Sequence, residues 1–312
     1  MASNLIRLGH NCNQRCVFCT VALDKETELT TEEVKDRILF LAKKGAKIIT
    51  FTGGEPTVRK DLADLIRFAK KSGIKTVELQ TNGVLLHKRS LAEKIVNAGV
   101  DIALVSLHSY KEEISEKLTN SPHTFRKTLR GIRNLTKICR NVQVSHVINS
   151  MNYKDLCDFV TFIHWNFPRV QSIYFSFVRP NGRAFENKWI VPKLSDIDLD
   201  LYKAFEHCRN TGVGFGVEGL PLCYMQGFEE HSVEIGRLLS EPVFYISSKE
   251  SRADAHRFTQ AELKRKGERC SYCLLNDICP GVWREYAEVH GTGELFPVFV
   301  PKEEITKKLA KR

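Results

Sequence analysis

The chain has 312 residues, of which 42% are hydrophobic and 27% charged, and its formal net charge is +10. These proportions exclude a fibrous repeat and a largely disordered chain, because both need a biased composition. No apolar run approaches the roughly 20 residues of a membrane span and no signal peptide is visible, so we expect a cytoplasmic protein without a membrane partner. The charge favours an acidic partner without identifying it.

From residue 4 to about 178, short β-rich runs alternate with amphipathic helical runs, which is the pattern of repeated βα units on a parallel sheet. Six mostly apolar strands are predicted, at residues 5–8, 47–51, 75–80, 101–106, 142–148 and 172–178. A helix at 195–208 and a short β run at 213–217 follow. The sequence therefore predicts six βα units, with an irregular region beyond residue 217.

The predicted helices carry clear end signals. The first begins at Thr30, which with Glu33 has the spacing of a capping box, and ends at Gly45. A fourth helix is predicted at about 121–140. Five basic residues at helical spacing lie on one of its faces: Arg126, Arg130, Arg133, Lys137 and Arg140. They form either an ordinary solvated face or a landing surface for an acidic partner.

Three cysteines, Cys12, Cys16 and Cys19, directly follow the first predicted strand in the pattern C-x3-C-x2-C. They therefore lie at the carboxyl end of that strand, which is the edge where barrel active sites are built. Three thiolates are one fewer than a four-iron cluster or a tetrahedral zinc site normally takes, so one metal position is left open for chemistry. The alternative is a structural zinc site with His10 as its fourth ligand.

This cysteine pattern, with the aromatic Phe18 before the last cysteine, resembles the signature of the radical S-adenosylmethionine (SAM) enzymes. The second predicted strand ends in a run that looks like the GGEP motif of the same family, Thr52-Gly53-Gly54-Glu55-Pro56. The resemblance implies that the three cysteines hold a 4Fe–4S cluster whose fourth iron chelates SAM. It also implies that Gly53, Gly54 and Glu55 bind the amino group of SAM, since glycines permit close backbone approach and a carboxylate accepts from an ammonium.

Polar residues also close the third, fourth and fifth predicted strands: Asn82, Ser106, His108 and Asn149. In the family, such positions contact SAM or the substrate, although His108 is equally well an ordinary histidine of the rim. The resemblance implies an α/β fold, a partial (β/α)6 barrel similar to a TIM barrel. It implies that a reduced cluster gives one electron to SAM and that the resulting 5′-deoxyadenosyl radical takes a hydrogen atom from the substrate.

A second group of cysteines, Cys270, Cys273 and Cys279, reads C-x2-C-x5-C, with Cys223 upstream as the obvious fourth ligand. Four thiolates close a site, which is then either structural zinc or a fully ligated iron–sulfur cluster. The element is similar to the C-terminal half of the auxiliary-cluster extension called SPASM or, when shortened, twitch. The resemblance therefore implies a second, auxiliary 4Fe–4S cluster.

The remaining cysteines fit no such group. The full extension of the family has seven cysteines and two clusters, whereas four cysteines are plausible ligands here. Cys208 lies near the end of an amphipathic helix and is either a substitute ligand or a buried core residue. Cys139 and Cys157 have no partners in spacing and are predicted to be core residues.

Together these features predict a partial barrel at residues 1–210 and a small C-terminal cluster-binding extension at residues 211–312. They predict a radical SAM enzyme that modifies a peptide or small protein, with SAM and a one-electron reductant such as flavodoxin or ferredoxin as partners. A radical SAM enzyme acting on a small molecule or a nucleic acid is one alternative. A non-catalytic zinc and nucleic-acid-binding protein is another, although it leaves Gly53-Gly54-Glu55 unexplained and no RNA-binding motif is visible.

Overall fold

Strands and helices alternate along most of the chain. The computed structural model describes residues 3–21, 27–238, 242–248 and 251–310. The strands are β1 (Asn4–Arg7), β2 (Ile48–Thr52), β3 (Thr76–Thr81), β4 (Ile102–Ser106), β5 (Asn141–Ile148), β6 (Ser172–Phe177), β7 (Gly214–Glu218), β8 (Tyr245–Ile246), β9 (Ser251–Arg252), β10 (Lys264–Arg265) and β11 (Val282–Trp283). The helices are α1 (Thr31–Lys43), α2 (Leu62–Lys71), α3 (Arg89–Ala98), α4 (Glu112–Thr119), α5 (Phe125–Ile138), α6 (Leu156–Asn166), α7 (Arg183–Glu186), α8 (Leu194–Thr211), α9 (Val233–Leu238), α10 (Ala255–Leu263), α11 (Arg284–His290) and α12 (Lys302–Ala310).

Within the described residues, nine strands form one sheet in the order β7-β6-β5-β4-β3-β2-β1-β8-β9. All neighbours from β7 to β8 pair in parallel, and only β8 with β9 is antiparallel. The two ends of this order do not pair with each other in the part of the chain described, so the barrel is partial. The six predicted strands are β1 to β6 and the run at 213–217 is β7, which confirms the α/β partial-barrel fold.

The strands of this sheet have two different faces. In β5, Val142 and Val144 are buried in the core, whereas Gln143 and Ser145 line a cavity on the inner side of the sheet. Because successive side chains of a strand point to opposite faces of the sheet, the same strand contributes to the core and to the cavity lining. Gln143 and Ser145 therefore mark the inner, cavity-facing side of the barrel.

The helices follow their predicted starts, with one correction. The capping box of α1 is present: Glu33 N–H donates to Thr30 Oγ1 at 3.2 Å and Thr30 N–H donates to Glu33 Oε2 at 2.7 Å. The helix predicted at about 121–140 is α5, but a further helix, α4, lies before it between β4 and β5 and was not predicted. Asn120, in the left-handed region with φ 45°, ends α4 and turns the chain before α5 begins.

The C-terminal region adds strands to both edges of the sheet. On one edge β7 pairs with β6, and on the other β8 pairs with β1, where Leu5 lies opposite Tyr245. The sheet therefore continues beyond residue 210, and the division into a barrel and an extension at that residue stays a prediction. Among the residues described, no helix is both long and apolar enough to cross a bilayer.

Candidate functional site

The loop that follows β1 carries the first three cysteines and is held from two sides. On one side, Gly54 N–H donates to Gly9 O at 2.9 Å, so the end of β2 is bonded to the loop. On the other side, Val17 N–H donates to Leu118 O at 2.9 Å, so the end of α4 is bonded to it as well. These backbone bonds fix the path of the loop independently of its side chains.

The three thiols of this loop face one cavity. We call the loop that carries them the three-thiol loop. Cys12 is exposed, Cys16 and Cys19 are partly buried, and all three line a cavity of about 1170 Å³ on the inner side of the sheet. Burial raises the pKa of Cys16, and the neighbouring thiols of Cys12 and Cys19 add to the effect because thiolates repel each other. In the described ranges no three His, Cys, Asp or Glu residues are grouped closely enough to hold a single metal ion. The donor set fits a cationic iron cluster, which lowers thiol pKa values and removes the repulsion.

The two glycines after β2 are required by the close approach of the three-thiol loop. A Cβ at Gly53 would lie 2.6 Å from Gly9 O, and its φ of +143° is one that other residues rarely adopt. A Cβ at Gly54 would overlap the carbonyl oxygens of His10 and Asn11. The two glycines therefore allow the three-thiol loop to lie against the end of β2.

Glu55 is buried, and its carboxylate bonds to three neighbours within the protein. Oε1 accepts from Thr57 N–H at 2.9 Å, from Thr57 Oγ1 at 2.5 Å and from Thr81 Oγ1 at 2.7 Å. Oε2 accepts from Asn82 N–H at 2.6 Å. Burial raises the pKa of Glu55, although these hydrogen bonds favour the ionised form. The side chain joins the end of β2 to the end of β3 and does not line the cavity of the three thiols.

Three predicted rim residues do line that cavity: Asn82, Ser106 and His108. Asn82 Nδ2 donates to Asn13 Oδ1 at 2.6 Å and lies 3.8 Å from Cys12 Sγ. His108 Nδ1 accepts from Val147 N–H at 3.1 Å, and burial lowers the pKa of His108 to about 4, so its imidazole is neutral near pH 7. The structure therefore brings these three residues to the same space as the thiols.

Two other candidates are placed differently. Asn149 is fully buried and outside the cavity lining, with its Nδ2 donating to Val147 O at 2.8 Å and its Oδ1 accepting from Met151 N–H at 3.0 Å. It therefore stabilises its own turn after β5. His10, the alternative zinc ligand, is exposed, and its Nδ1 lies 3.7 Å from Glu28 Oε1.

The segment after β6 closes over the three-thiol loop, a contact that the sequence did not predict. Arg183 N–H donates to Cys19 O at 3.0 Å, and its Nη1 lies 3.5 Å from Cys16 O. A Cβ at Gly182 would overlap Cys19 O. The run Arg179-Pro180-Asn181-Gly182 ends the periodic part of the sequence and gives no sign of this contact.

A polar cluster on the inner side of the sheet was not predicted either. Tyr174 OH donates to Glu218 Oε2 at 2.5 Å, and Arg237 donates both to Tyr174 OH, at 2.9 Å, and to Glu218. Burial opposes ionisation of Glu218, but the positive charges of Arg237 and Lys264 and the hydrogen bonds from Tyr174 and Arg237 together outweigh it and hold the pKa of Glu218 below its ordinary range. All three line the cavity. Because they come from three separate elements, no local pattern predicts their contact.

The second group of cysteines also surrounds one space. We call these residues the four-thiol group: Cys223, Cys270, Cys273 and Cys279. Leu222 and Gly281 N–H donate to Cys279 Sγ, each at 3.4 Å, and Val298 N–H donates to Cys273 Sγ at 3.3 Å. Burial raises the pKa of Cys223 to about 12. The void between the thiols is about 10 Å³, room for roughly one water. Four thiols are donors that both an iron–sulfur cluster and zinc accept, but among the described residues no three of them, as placed, are grouped closely enough to hold a single metal ion.

The remaining cysteines lie outside both groups. Cys208 is fully buried in α8, where burial, with a contribution from Cys157, raises the pKa of Cys208 to about 12. Cys139 and Cys157 are partly buried, and Cys139 Sγ lies 3.5 Å from Asn141 O. Cys208 thus neighbours a cysteine of α6, and it does not line the void of the four-thiol group.

Curated relatives share about half of the chain. A probable GTP 3′,8-cyclase of Sulfolobus acidocaldarius is 31% identical over 196 residues, which are 62% of this chain and 61% of the relative. An Fe-coproporphyrin III synthase of Methanosarcina barkeri is 36% identical over 152 residues, which are 48% of this chain and 37% of the relative. The alignments therefore leave a large part of each relative unmatched.

Solved structures match the fold over nearly the whole chain. Streptococcus suis SuiB bound to S-adenosylmethionine has a TM-score of 0.67 at 16% identity, covering 94% of this chain and 75% of SuiB. Native anSMEcpe with bound AdoMet and Kp18Cys peptide has a TM-score of 0.65 at 16% identity, covering 99% of this chain and 96% of anSMEcpe. At this identity the likeness concerns the fold alone.

The family model of the Radical SAM superfamily matches residues 6–164. This range contains the three-thiol loop, the glycine run after β2 and the rim positions of β3 to β5. Members of this superfamily are enzymes that use a 4Fe–4S cluster together with SAM. The chain therefore belongs to the radical SAM superfamily.

Proposed function

We propose that this radical SAM enzyme modifies a peptide or small protein and carries two clusters. Cys12, Cys16 and Cys19 would hold the cluster that binds SAM, and the four-thiol group would hold the auxiliary cluster. The observation that carries the proposal is a pair of neighbouring cavities on the inner side of the sheet. The cavity of about 1170 Å³ next to the three-thiol loop shares lining residues with a second cavity of about 620 Å³.

The second cavity reaches the C-terminal region. Gln260 and Trp283 line it, and Gln260 Nε2 donates to Cys279 O at 3.0 Å. A substrate in this space would therefore have the three-thiol loop on one side and the backbone of the four-thiol group on the other. Such an arrangement suits an extended substrate that is modified at one point and held at another.

The side chains around the thiols have separate tasks in this proposal. When bound, the cluster supplies the electron that cleaves SAM. Gly53 and Gly54 let the backbone at the end of β2 approach the ligand, and Asn82 and Ser106 offer hydrogen bonds at the rim. Phe18 packs edge to face on His108, with ring centroids 4.9 Å apart, and keeps water from this side of the site.

Two observations favour a peptide substrate: the peptide bound in a structure of similar fold and the polar lining of the cavity. The anSMEcpe structure contains a bound peptide, and the shared fold extends over 99% of this chain, so it includes the C-terminal region. The polar cluster of Tyr174, Glu218 and Arg237 offers both donors and acceptors to a peptide backbone.

A nucleotide substrate is the second candidate. The relative from Sulfolobus acidocaldarius is a probable GTP 3′,8-cyclase, and six arginines line the two cavities: Arg7, Arg15, Arg179, Arg183, Arg237 and Arg252. Arginine is well suited to phosphate recognition. Anaerobic incubation with SAM and GTP distinguishes a peptide substrate from a nucleotide substrate. Consumption of GTP, measured by chromatography, would favour the nucleotide.

Reductive cleavage of SAM tests the proposed chemistry. Protein with reconstituted clusters, dithionite and SAM should yield 5′-deoxyadenosine and methionine, and Cys12→Ala/Cys16→Ala/Cys19→Ala should yield neither. Cys139→Ala/Cys157→Ala is the matched control, since both cysteines lie outside the two groups, and it should keep the activity. Fully reconstituted wild-type protein that forms no 5′-deoxyadenosine would refute the proposal.

Metal content tests the auxiliary cluster. After reconstitution, Cys12→Ala/Cys16→Ala/Cys19→Ala protein should retain about four irons per chain, because a 4Fe–4S cluster on the four-thiol group does not need the first loop. Adding Cys270→Ala/Cys273→Ala should remove them. Zinc without iron in the first variant would identify a structural zinc site instead.

A further inference from the structure

The outward side of α5 carries a strongly basic surface. Arg126, Arg130, Arg133 and Lys137 follow one another at helical spacing, with Lys127 beside them, and all five are exposed. We call these five residues the basic face. None of them lines the two cavities next to the three-thiol loop. The basic face therefore has no part in enclosing the substrate.

Acidic side chains neutralise this surface only in part. Arg126 Nη2 lies 3.0 Å from Glu112 Oε2, and the guanidinium of Arg133 lies 5.5 Å from the ring of Phe167. Glu116 Oε1 accepts from Thr124 N–H at 3.1 Å, and Glu113 is exposed nearby on α4. Across the residues described, no carboxylate forms an ion pair with the three remaining cations, Lys127, Arg130 and Lys137.

The basic face begins just after the segment that connects α4 to α5, and this segment contacts the three-thiol loop. Gln14 Nε2 donates to Thr124 Oγ1 at 3.2 Å, and Arg15 N–H donates to Ser121 Oγ at 3.2 Å. Thr124 directly precedes α5, and Lys127 lies within the next helical turn. The loop that would hold the first cluster is therefore hydrogen-bonded to the residue that directly precedes the helix of the basic face.

We propose that the basic face is the docking surface for an acidic one-electron carrier protein of the flavodoxin or ferredoxin class. The inference rests on the proposed function, because each SAM cleavage consumes one electron that no amino acid of this chain supplies. The carrier would give up one electron and be oxidised, the cluster held by the three thiols would take up that electron, and no proton or group would be transferred. Attraction between a basic and an acidic surface speeds and orients such encounters.

An acidic carrier fits the basic face better than a nucleic acid or an acidic substrate does. A substrate must reach the inner side of the sheet, whereas the basic face points away from the cavities. A carrier needs only to come close to the three-thiol loop, which the contacts of Gln14 and Arg15 with the residues before α5 allow. Position, and not charge alone, therefore selects the carrier.

The test compares two electron sources in one enzyme. Lys127→Glu/Arg130→Glu reverses two cations of the basic face, and Lys43→Glu/Lys47→Glu makes the same change in net charge at two exposed lysines, one at the end of α1 and one just before β2. Formation of 5′-deoxyadenosine is measured with dithionite and with an enzymatically reduced bacterial flavodoxin at low salt. A plant-type ferredoxin serves as a second carrier.

We expect Lys127→Glu/Arg130→Glu to keep its dithionite rate within about twofold and to lose about tenfold or more of its carrier-driven rate. Lys127→Gln/Arg130→Gln should show a smaller loss, and the control should keep both rates. Carrier-driven rates that are unchanged, or that fall equally in the control, overturn the inference. Absence of cleavage with dithionite in wild-type protein refutes the proposed function instead. A salt-sensitive RNA complex lost in the variant, with carrier rates intact, assigns the surface to nucleic acid.

Discussion

At the scale of single residues, the closest packing in the candidate site is between Gly54 and the three-thiol loop. A Cβ there would overlap the backbone oxygens of His10 and Asn11, which cannot move aside as a flexible side chain would. We expect Gly54→Ala to lower the free energy of unfolding by about 1–3 kcal/mol. SAM cleavage should fall about tenfold or more, because the loop that carries the thiols must shift. Anaerobic thermal unfolding and the yield of 5′-deoxyadenosine measure the two effects.

Gly293→Ala is the control for this substitution. A Cβ at Gly293 meets no heavy atom within 4 Å, so the change adds a methyl group without a clash. The control should keep wild-type stability and activity. If Gly54→Ala behaves like the control, the contact between the end of β2 and the three-thiol loop does not limit the site.

Residues also differ in how far the sequence could predict their surroundings. The grouping of Cys12, Cys16 and Cys19 could be predicted, because a spacing of a few residues forces side chains of one loop together. The bonds of Glu55 could not, because Thr81 and Asn82 approach it only after β3 pairs with β2. Local spacing thus predicted the donor set, and strand pairing determined the carboxylate's partners.

At the scale of elements, the parallel strands were predictable because each is a mostly apolar run next to an amphipathic helix. The short strands β8 to β11 have two residues each, too few for any periodicity to show. The helix α4 has eight residues, half of them glutamate or lysine. Its apolar residues are too few to show a helical period in the sequence. Elements of this length are defined by tertiary contacts and so were missed.

The helix α5 shows how an element acquires a second role from its neighbours. Its apolar side, with Ile132 and Leu135, is buried, as the sequence predicts for an amphipathic helix. Only the folded chain reveals that Thr128 Oγ1 donates to Asn82 O at 3.0 Å and that Thr124 accepts from Gln14. These contacts link the buried side and the start of the helix to the candidate site, which amphipathicity alone did not indicate.

At the scale of the whole molecule, the C-terminal region is bonded to the barrel at several points. Leu5 N–H donates to Phe244 O at 2.8 Å where β8 extends the sheet. Leu194 N–H donates to Tyr286 OH at 2.9 Å, and this tyrosine is only 1% exposed. Removing the region would leave an open strand edge at β1 and uncover apolar surface, both of which favour aggregation. We therefore expect residues 1–210 and residues 211–312 to depend on each other for folding.

A fragment of residues 1–218, which ends with β7, tests this dependence. We expect it to be insoluble or aggregated, because it lacks β8, the buried Tyr286 and the ion pair between Arg179 and Glu285, whose atoms lie 2.7 Å apart. Size-exclusion chromatography and circular dichroism measure its state. Coexpression with residues 219–312 is the control and should restore a soluble complex, since it returns the missing strand and side chains. A monomeric fragment that unfolds cooperatively at the Tm of the full chain would show that the barrel folds alone, with the C-terminal region only attached to it.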